Sequence, residues 1–242
     1  MAIPTDARLF AVVPAAGSGT RMGASLPKQY LSANGRTIAE HTIGRLLSYA
    51  RIEKIIVATA KDDLWWPQLS TALHPRVKSA IGGATRAESV LACLDFLSAE
   101  ANDHDWVLVH DMARPCVRLS DIELLLQGCT EQGALLALPV TDTIKQADGD
   151  ASVTGTLSRD NIWRALTPQL FPLGALRDAL TEALAKGLPI TDEASAMELR
   201  GGKPRLVVGR SDNIKVTLPA DLPLVRFYLS QQEDEGLAWE FA

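Results

Sequence analysis

The chain has 242 residues, 47% of them hydrophobic, which is ample for one continuous core and argues against disorder. Its 24 Lys and Arg against 29 Asp and Glu give a net charge of -5, so a broadly basic nucleic-acid binder is excluded, and any phosphate chemistry must rest on a local cluster of cations. The N-terminal polar residues lead directly into Leu9 to Val13, too short for a signal-peptide core or a membrane span, and Cys93, Cys116 and Cys129 form no CxxC pattern. The expectation is a cytoplasmic protein with reduced thiols and neither a nucleic-acid nor a membrane partner.

Taken in order, Leu9 to Val13 predicts a first strand, followed by a small-residue turn. Ile38, Thr42, Ile43, Leu46 and Leu47 share one helical face, Lys54 to Thr59 and Val77 to Ile81 read as strands, and Ala87, Val90, Leu91, Leu94 and Leu97 form a second helical face. Trp106 to Val109 is a further strand; Ser120 with Glu123 predicts a capping box opening a helix that continues through Leu126. Leu135 to Val140 is the next strand, Leu173 to Ala185 a helix stopped by Gly187, and Leu206 to Val208 the last strand. This alternation predicts an α/β fold: a mostly parallel, Rossmann-like sheet flanked by helices, as one domain over 1–242. One stretch breaks the pattern, because Thr143 to Ala147 and Ser152 to Leu157 flank Asp148-Gly149, a hairpin signal. The segment 142–164 therefore predicts a projecting arm, and such arms often exchange between the subunits of a homodimer.

Chemistry concentrates after the first strand, where Pro14-Ala15-Ala16-Gly17-Ser18-Gly19-Thr20-Arg21-Met22 leads to Pro27-Lys28. Small residues let backbone N–H groups approach a polyphosphate, while Arg21 and Lys28 supply countercharge. A P-loop would end in Gly-Lys-Ser/Thr, and a dinucleotide fingerprint would place its third glycine one position before Gly23; neither fits. Asp111 sits just past the strand Trp106 to Val109, at the sheet edge where open α/β folds bind ligands. Lys215, in the alternating run Ile214-Lys215-Val216-Thr217, reads on pattern alone as solvent-facing, as does Arg159 in an exposed arm. Arg86 and Glu88 read as helix surface, and His110 as orienting the turn at Asp111.

The loop together with Pro27-Lys28-Gln29-Tyr30 resembles the signature of sugar-phosphate nucleotidyltransferases. Five later segments narrow the resemblance to methylerythritol phosphate cytidylyltransferases: His110-Asp111-Met112-Ala113-Arg114-Pro115, Asp142-Thr143-Ile144-Lys145, Leu166-Thr167-Pro168-Gln169, Thr191-Asp192-Glu193-Ala194-Ser195-Ala196 and Asp212-Asn213-Ile214-Lys215-Val216-Thr217. The resemblance implies CTP and 2-C-methyl-D-erythritol 4-phosphate as substrates, with Mg²⁺ bound mainly through the CTP phosphates and no protein-held metal site. It gives Arg21 and Lys28 the task of stabilising the pentacoordinate α-phosphate, and Arg159 and Lys215 that of holding the acceptor phosphate. Pro14, Ala15, Ala16, Gly17, Gly19, Gly82, Gly83, Ser89 and Met112 would bind nucleotide; Asp111, Thr143, Thr167 and Thr191 would bind substrate. Asp111 has a competing reading as a Mg²⁺ ligand, and Met112 stands where the family usually has Ala. The residues themselves leave open a cytidylyltransferase for another alcohol phosphate such as ribitol 5-phosphate, or a non-catalytic nucleotide-binding regulator.

Overall fold

The computed structural model describes residues 3–4, 7–17 and 26–239. In chain order the sheet-forming and helical elements are β1 (Leu9–Pro14), β2 (Ser32–Ala33), β3 (Arg36–Thr37), α1 (Ile38–Ser48), β4 (Ile52–Thr59), β5 (Val77–Ile81), α2 (Arg86–Leu97), β6 (Trp106–Val109) and α3 (Leu119–Gly128). There follow β7 (Ala134–Pro139), β8 (Ile144–Ala147), β9 (Val153–Leu157), β10 (Trp163–Pro172), α4 (Leu173–Ala185), α5 (Glu193–Leu199), β11 (Arg205–Val208) and α6 (Asp221–Asp234).

Seven strands form the central sheet in the order β11-β7-β10-β6-β1-β4-β5. The pairs β1–β4, β1–β6, β4–β5 and β11–β7 are parallel, whereas β10 lies antiparallel between β6 and β7. Strands buried on both faces need apolar residues at every position, and side chains of alternate residues enter opposite layers. In β1, Leu9, Ala11 and Val13 join the layer with Ile43 and Leu46 of α1 and Ile122 and Leu125 of α3. Phe10 and Val12 join the other, with Val90 and Leu94 of α2, Leu176 of α4 and Ala194 of α5. A smaller cluster, Ala33, Ile38, Cys116, Val216, Val225 and Leu229, seats α6.

All six expected strands are present, and α4 stops where expected: Gly187 takes a positive φ of 61° and its N–H donates to the Leu184 carbonyl. Two local expectations are corrected. α3 begins at Leu119 with Arg118 as its N-cap and no side-chain cap, so the Ser120–Glu123 capping box does not form; the Glu123 carboxylate instead accepts from Tyr49 Oη and Gln127 Nε2. The hairpin β8–β9 does form, as a separate two-stranded sheet, but its turn is not a tight Asp-Gly pair. Asp148 N–H donates to the Ser152 carbonyl, its carboxylate accepts from the N–H groups of Asp150 and Ser152, and Ala151 takes the positive φ of 60°. Finally, β10 and α6 were not expected from the pattern.

Candidate active site

The carboxyl ends of β1, β5 and β6 open into one cleft, and the local sequence accounts for its shape. After β1 the chain turns with Ala15 donating its N–H to the Ala58 carbonyl, while Gln29 Nε2 donates to the Ala15 carbonyl at 3.0 Å. The short helical turn Lys28–Tyr30 thereby clamps the small-residue loop. After β5, Gly82 donates its N–H to the Thr59 carbonyl, and a Cβ at Gly82 would lie 2.5 Å from Ala16 Cβ and 2.8 Å from Ser89 Oγ. Only glycine allows the two loops to approach this closely. Thr85 and Glu88 form the capping box that opens α2, and Ser89 Oγ donates to the Thr85 carbonyl while accepting from Gly83 N–H at 3.2 Å. Glu88 is thus a structural cap.

Pro14, Ala15, Ala16, Gly17 and Lys28 line one wall of this cleft, and Gly83, Ser89, Asp111, Met112 and Lys215 line the rest, with Gln29, Thr85 and Arg86. Gly82 shapes the cleft from beneath Ala16. Met112 is buried, and its carbonyl accepts from Thr42 Oγ1 at 2.7 Å, which anchors this stretch of backbone to α1. A second recess adjoins the first and shares Arg86, Asp111 and Lys215 with it; Thr167, Thr191, Arg114 and Gln169 are among the residues that line the rest. Thr191 is not the N-cap of α5, a place taken by Asp192.

Asp111 is the electrostatic centre. Its Oδ1 accepts from Arg86 Nε at 3.0 Å and its Oδ2 faces Lys215 Nζ at 2.8 Å, with Arg114 Nε 3.6 Å away. Burial alone would push this carboxyl up; Arg86, Lys215 and Arg114 outweigh it and hold the carboxyl well below the usual carboxylate range. Lys215 therefore does not face solvent alone, and Arg86 is no surface residue: its guanidinium also grips Glu193 through two bonds of 2.6 and 3.0 Å. Lys28 Nζ donates to the Val216 carbonyl at 2.8 Å, next to Lys215.

A buried polar layer supports this row. His110 Nε2–H donates to the Arg114 carbonyl, Thr167 O–H donates to His110 Nδ1 at 3.0 Å, and Thr167 Oγ1 accepts from Asp111 N–H at 3.0 Å. Asn213 Nδ2 donates to the Thr167 carbonyl, and Arg114 donates to the Asn213 carbonyl. Burial lowers the His110 pKa to about 4, so the imidazole is neutral near pH 7.

Thr143 and Arg159 lie elsewhere: both are exposed at the foot of the arm, and Arg159 donates to the Thr141 carbonyl. Gly19 and Arg21 fall outside the described residues. Pattern reading passed over Glu193, Gln169 and Asn213, although each lies inside a segment carrying the family resemblance.

The family model described as 2-C-methyl-D-erythritol 4-phosphate cytidylyltransferase (IspD) matches residues 9–231. The chain belongs to this family. A Vibrio vulnificus protein named 2-C-methyl-D-erythritol 4-phosphate cytidylyltransferase is 53% identical over 228 residues, 93% of this chain and 96% of that protein. Among solved structures, a 4-diphosphocytidyl-2C-methyl-D-erythritol synthase superposes with a TM-score of 0.81 at 34% identity, covering 93% of this chain and 99% of that one. The Francisella tularensis IspD structure gives 0.79 at 36% identity, over 92% of this chain and 100% of its own. The IspD fold and the central cleft thus meet in a chain whose described helices include none long and apolar enough to cross a membrane.

Proposed function

We propose that the chain is a cytoplasmic cytidylyltransferase that joins CTP and 2-C-methyl-D-erythritol 4-phosphate to give 4-diphosphocytidyl-2-C-methyl-D-erythritol and pyrophosphate in isoprenoid precursor biosynthesis. The observation that carries the site assignment is that Arg86 and Lys215 meet on one carboxylate, Asp111, in a cleft whose lining also includes Lys28, Ala15, Ala16 and Gly17. Such a site neutralises a triphosphate without a nucleophile of its own.

An anionic oxygen of the acceptor phosphate attacks the α-phosphorus; that P–O bond forms as the bond to the bridging oxygen breaks, and pyrophosphate carries off the electron pair. The phosphate monoester is already ionised near neutral pH, so no general base is required. Cys93 and Cys116 take no part, because burial pushes both thiols up to about 12. Lys28, with Arg21, would face charge developing at the α-phosphate, and Lys215 would orient the acceptor phosphate from the wall shared by both recesses.

In the described lining Asp111 has both oxygens engaged by cations, a donor set that does not build a protein-held metal site. Mg²⁺ would enter as part of the metal–CTP substrate. For Thr143 and Arg159 the reading is exchange between subunits: the arm leaves Val153, Leu157 and Ile162 exposed, which suits a homodimer contact that would carry Arg159 toward the neighbouring cleft.

The test is pyrophosphate release from each of CTP, UTP, ATP and GTP with Mg²⁺, with methylerythritol phosphate or ribitol 5-phosphate as acceptor. Release that requires methylerythritol phosphate and favours CTP is the expected result. Release with ribitol phosphate alone would reassign the acceptor, and CTP binding with no release from either acceptor would leave a nucleotide-binding regulator.

A further inference from the structure

The two recesses of the cleft share one wall, and that wall is a single row of ion pairs. Lys215 meets Asp111 at 2.8 Å, Asp111 meets Arg86 at 3.0 Å, and Arg86 meets Glu193 at 2.6 and 3.0 Å. Glu193 itself lines neither recess and is 1% exposed. A fully buried carboxylate is costly to desolvate, and among the described residues its hydrogen bonds go to one partner, Arg86. The two parallel bonds fix the plane of the guanidinium and leave Nε aimed at Asp111.

Arg86 and Glu193, the last pair of the row, belong to different segments. Arg86 opens α2 directly after Gly83, Ala84 and Thr85, which line the nucleotide side. Glu193 opens α5 two residues after Thr191, which lines the other side. The start of α5 is fastened in turn to the sheet, since Gln169 of β10 donates from Nε2 to Asp192 at 2.8 Å and accepts from Ala194 N–H at 2.9 Å. A movement of Arg86 toward a phosphate on either side must therefore load Glu193 and, through Asp111, displace Lys215.

We propose that Glu193 is a positioning residue that acts through Arg86 to couple the nucleotide recess to the acceptor recess, so that filling one tightens the other. This rests on the functional reading above. The first ligand orders the shared row, and the second then meets it in place, without the ordering cost. A purely structural Glu193 would scale activity with the folded fraction and leave the ratio of affinities unchanged.

The test uses calorimetry on the full chain, with α,β-methylene CTP as the non-transferable nucleotide and 2-C-methyl-D-erythritol 4-phosphate as the acceptor. In the unaltered protein the nucleotide analogue should tighten acceptor binding by a factor within about 5–150, and the acceptor should tighten nucleotide binding by the same factor. In Glu193→Gln, which keeps the side-chain shape and removes the charge, that factor should fall toward one while nucleotide affinity without acceptor stays near the original value. A folded Glu193→Gln protein with unchanged coupling overturns the proposal. Should that variant not fold, Arg86→Lys supplies the same reading, because one ammonium cannot span Glu193 and Asp111; coupling retained there also overturns it. An unaltered protein that turns over both substrates yet shows no mutual tightening refutes the coupling alone, whereas one with no turnover refutes the functional reading and the coupling with it.

Discussion

His110 makes stability depend on pH in a window above that of Asp111. The ring is fully buried, with Nε2–H given to the Arg114 carbonyl and Nδ1 accepting from Thr167 O–H. Protonating Nδ1 would reverse the Thr167 bond and bury a second cation beside Arg114. Burial accordingly lowers the pKa from 6.5 to about 4. The sign follows from the proton count. Between these values the unfolded chain takes up a proton that the folded chain refuses, so His110's contribution is intact above pH 6.5 and is lost as the pH falls toward 4. At about 1.4 kcal/mol per pH unit, moving from pH 7.5 to 4.5 removes about 2.5 kcal/mol. For a chain of this size that is a fall in Tm of roughly 5–10 °C. The assay is urea unfolding followed by circular dichroism at half-unit pH steps, for the unaltered protein and for His110→Gln. His41, also buried and lowered, keeps its own share of the slope in the variant, so the informative quantity is the difference between the two curves. That difference should shrink by about 2.5 kcal/mol across the window; a flat difference between pH 6.5 and 4.5 would refute the reasoning. Below about 3.8 both proteins should lose the contribution of Asp111, whose folded pKa is depressed.

Further outcomes are expected elsewhere in the site. Lys28→Ala should lower kcat by about 10²–10³ with its unfolding midpoint nearly unchanged, measured by pyrophosphate release and thermal denaturation. Thr167→Val keeps the shape but strands Asp111 N–H and His110 Nδ1, so it should cost about 2–4 kcal/mol in urea unfolding and raise the acceptor KM. Gly82→Ala drives a methyl into Ala16 and Ser89 and should raise the KM for CTP while costing about 1–3 kcal/mol of stability. Mixing Arg21→Ala with Arg159→Ala chains should restore activity if the arm exchanges; no recovery after verified subunit exchange would count against the shared site.

β1 and β6, which carry two walls of the nucleotide cleft, were legible because Leu9 to Val13 and Trp106 to Val109 are apolar throughout. β10 was hidden for the opposite reason. Its ten residues contain Arg164, Thr167, Pro168 and Gln169, a polar and proline-bearing run that reads as a loop. Those polar side chains are there because the strand floors the site: Thr167 holds Asp111, and Gln169 holds the start of α5. α6 escaped notice because Val225, Leu229 and Gln232 are its only buried positions, too few to mark a face. At the site, Lys28 was legible as countercharge beside the small-residue loop and Asp111 from its place at a strand end, whereas Lys215 was reached through motif resemblance, since a lysine in an alternating run looks like any exposed lysine. Arg86 and Glu193 were missed as a pair because they are 107 positions apart and only the fold makes them neighbours.

The place of β10 also dictates a timetable for the nascent chain. Residues up to Val109 can assemble β5, β4, β1 and β6 as they leave the ribosome, but β7 has no seat beside β6 until the strand between them is synthesised. For that interval the open flank of β6 presents unpaired N–H and C=O groups next to the residues destined to bind nucleotide. The arm, made just before β10, is therefore finished before the sheet can close, and a stalled or truncated product ending within it would leave the ribosome with a sticky edge at the heart of the future cleft.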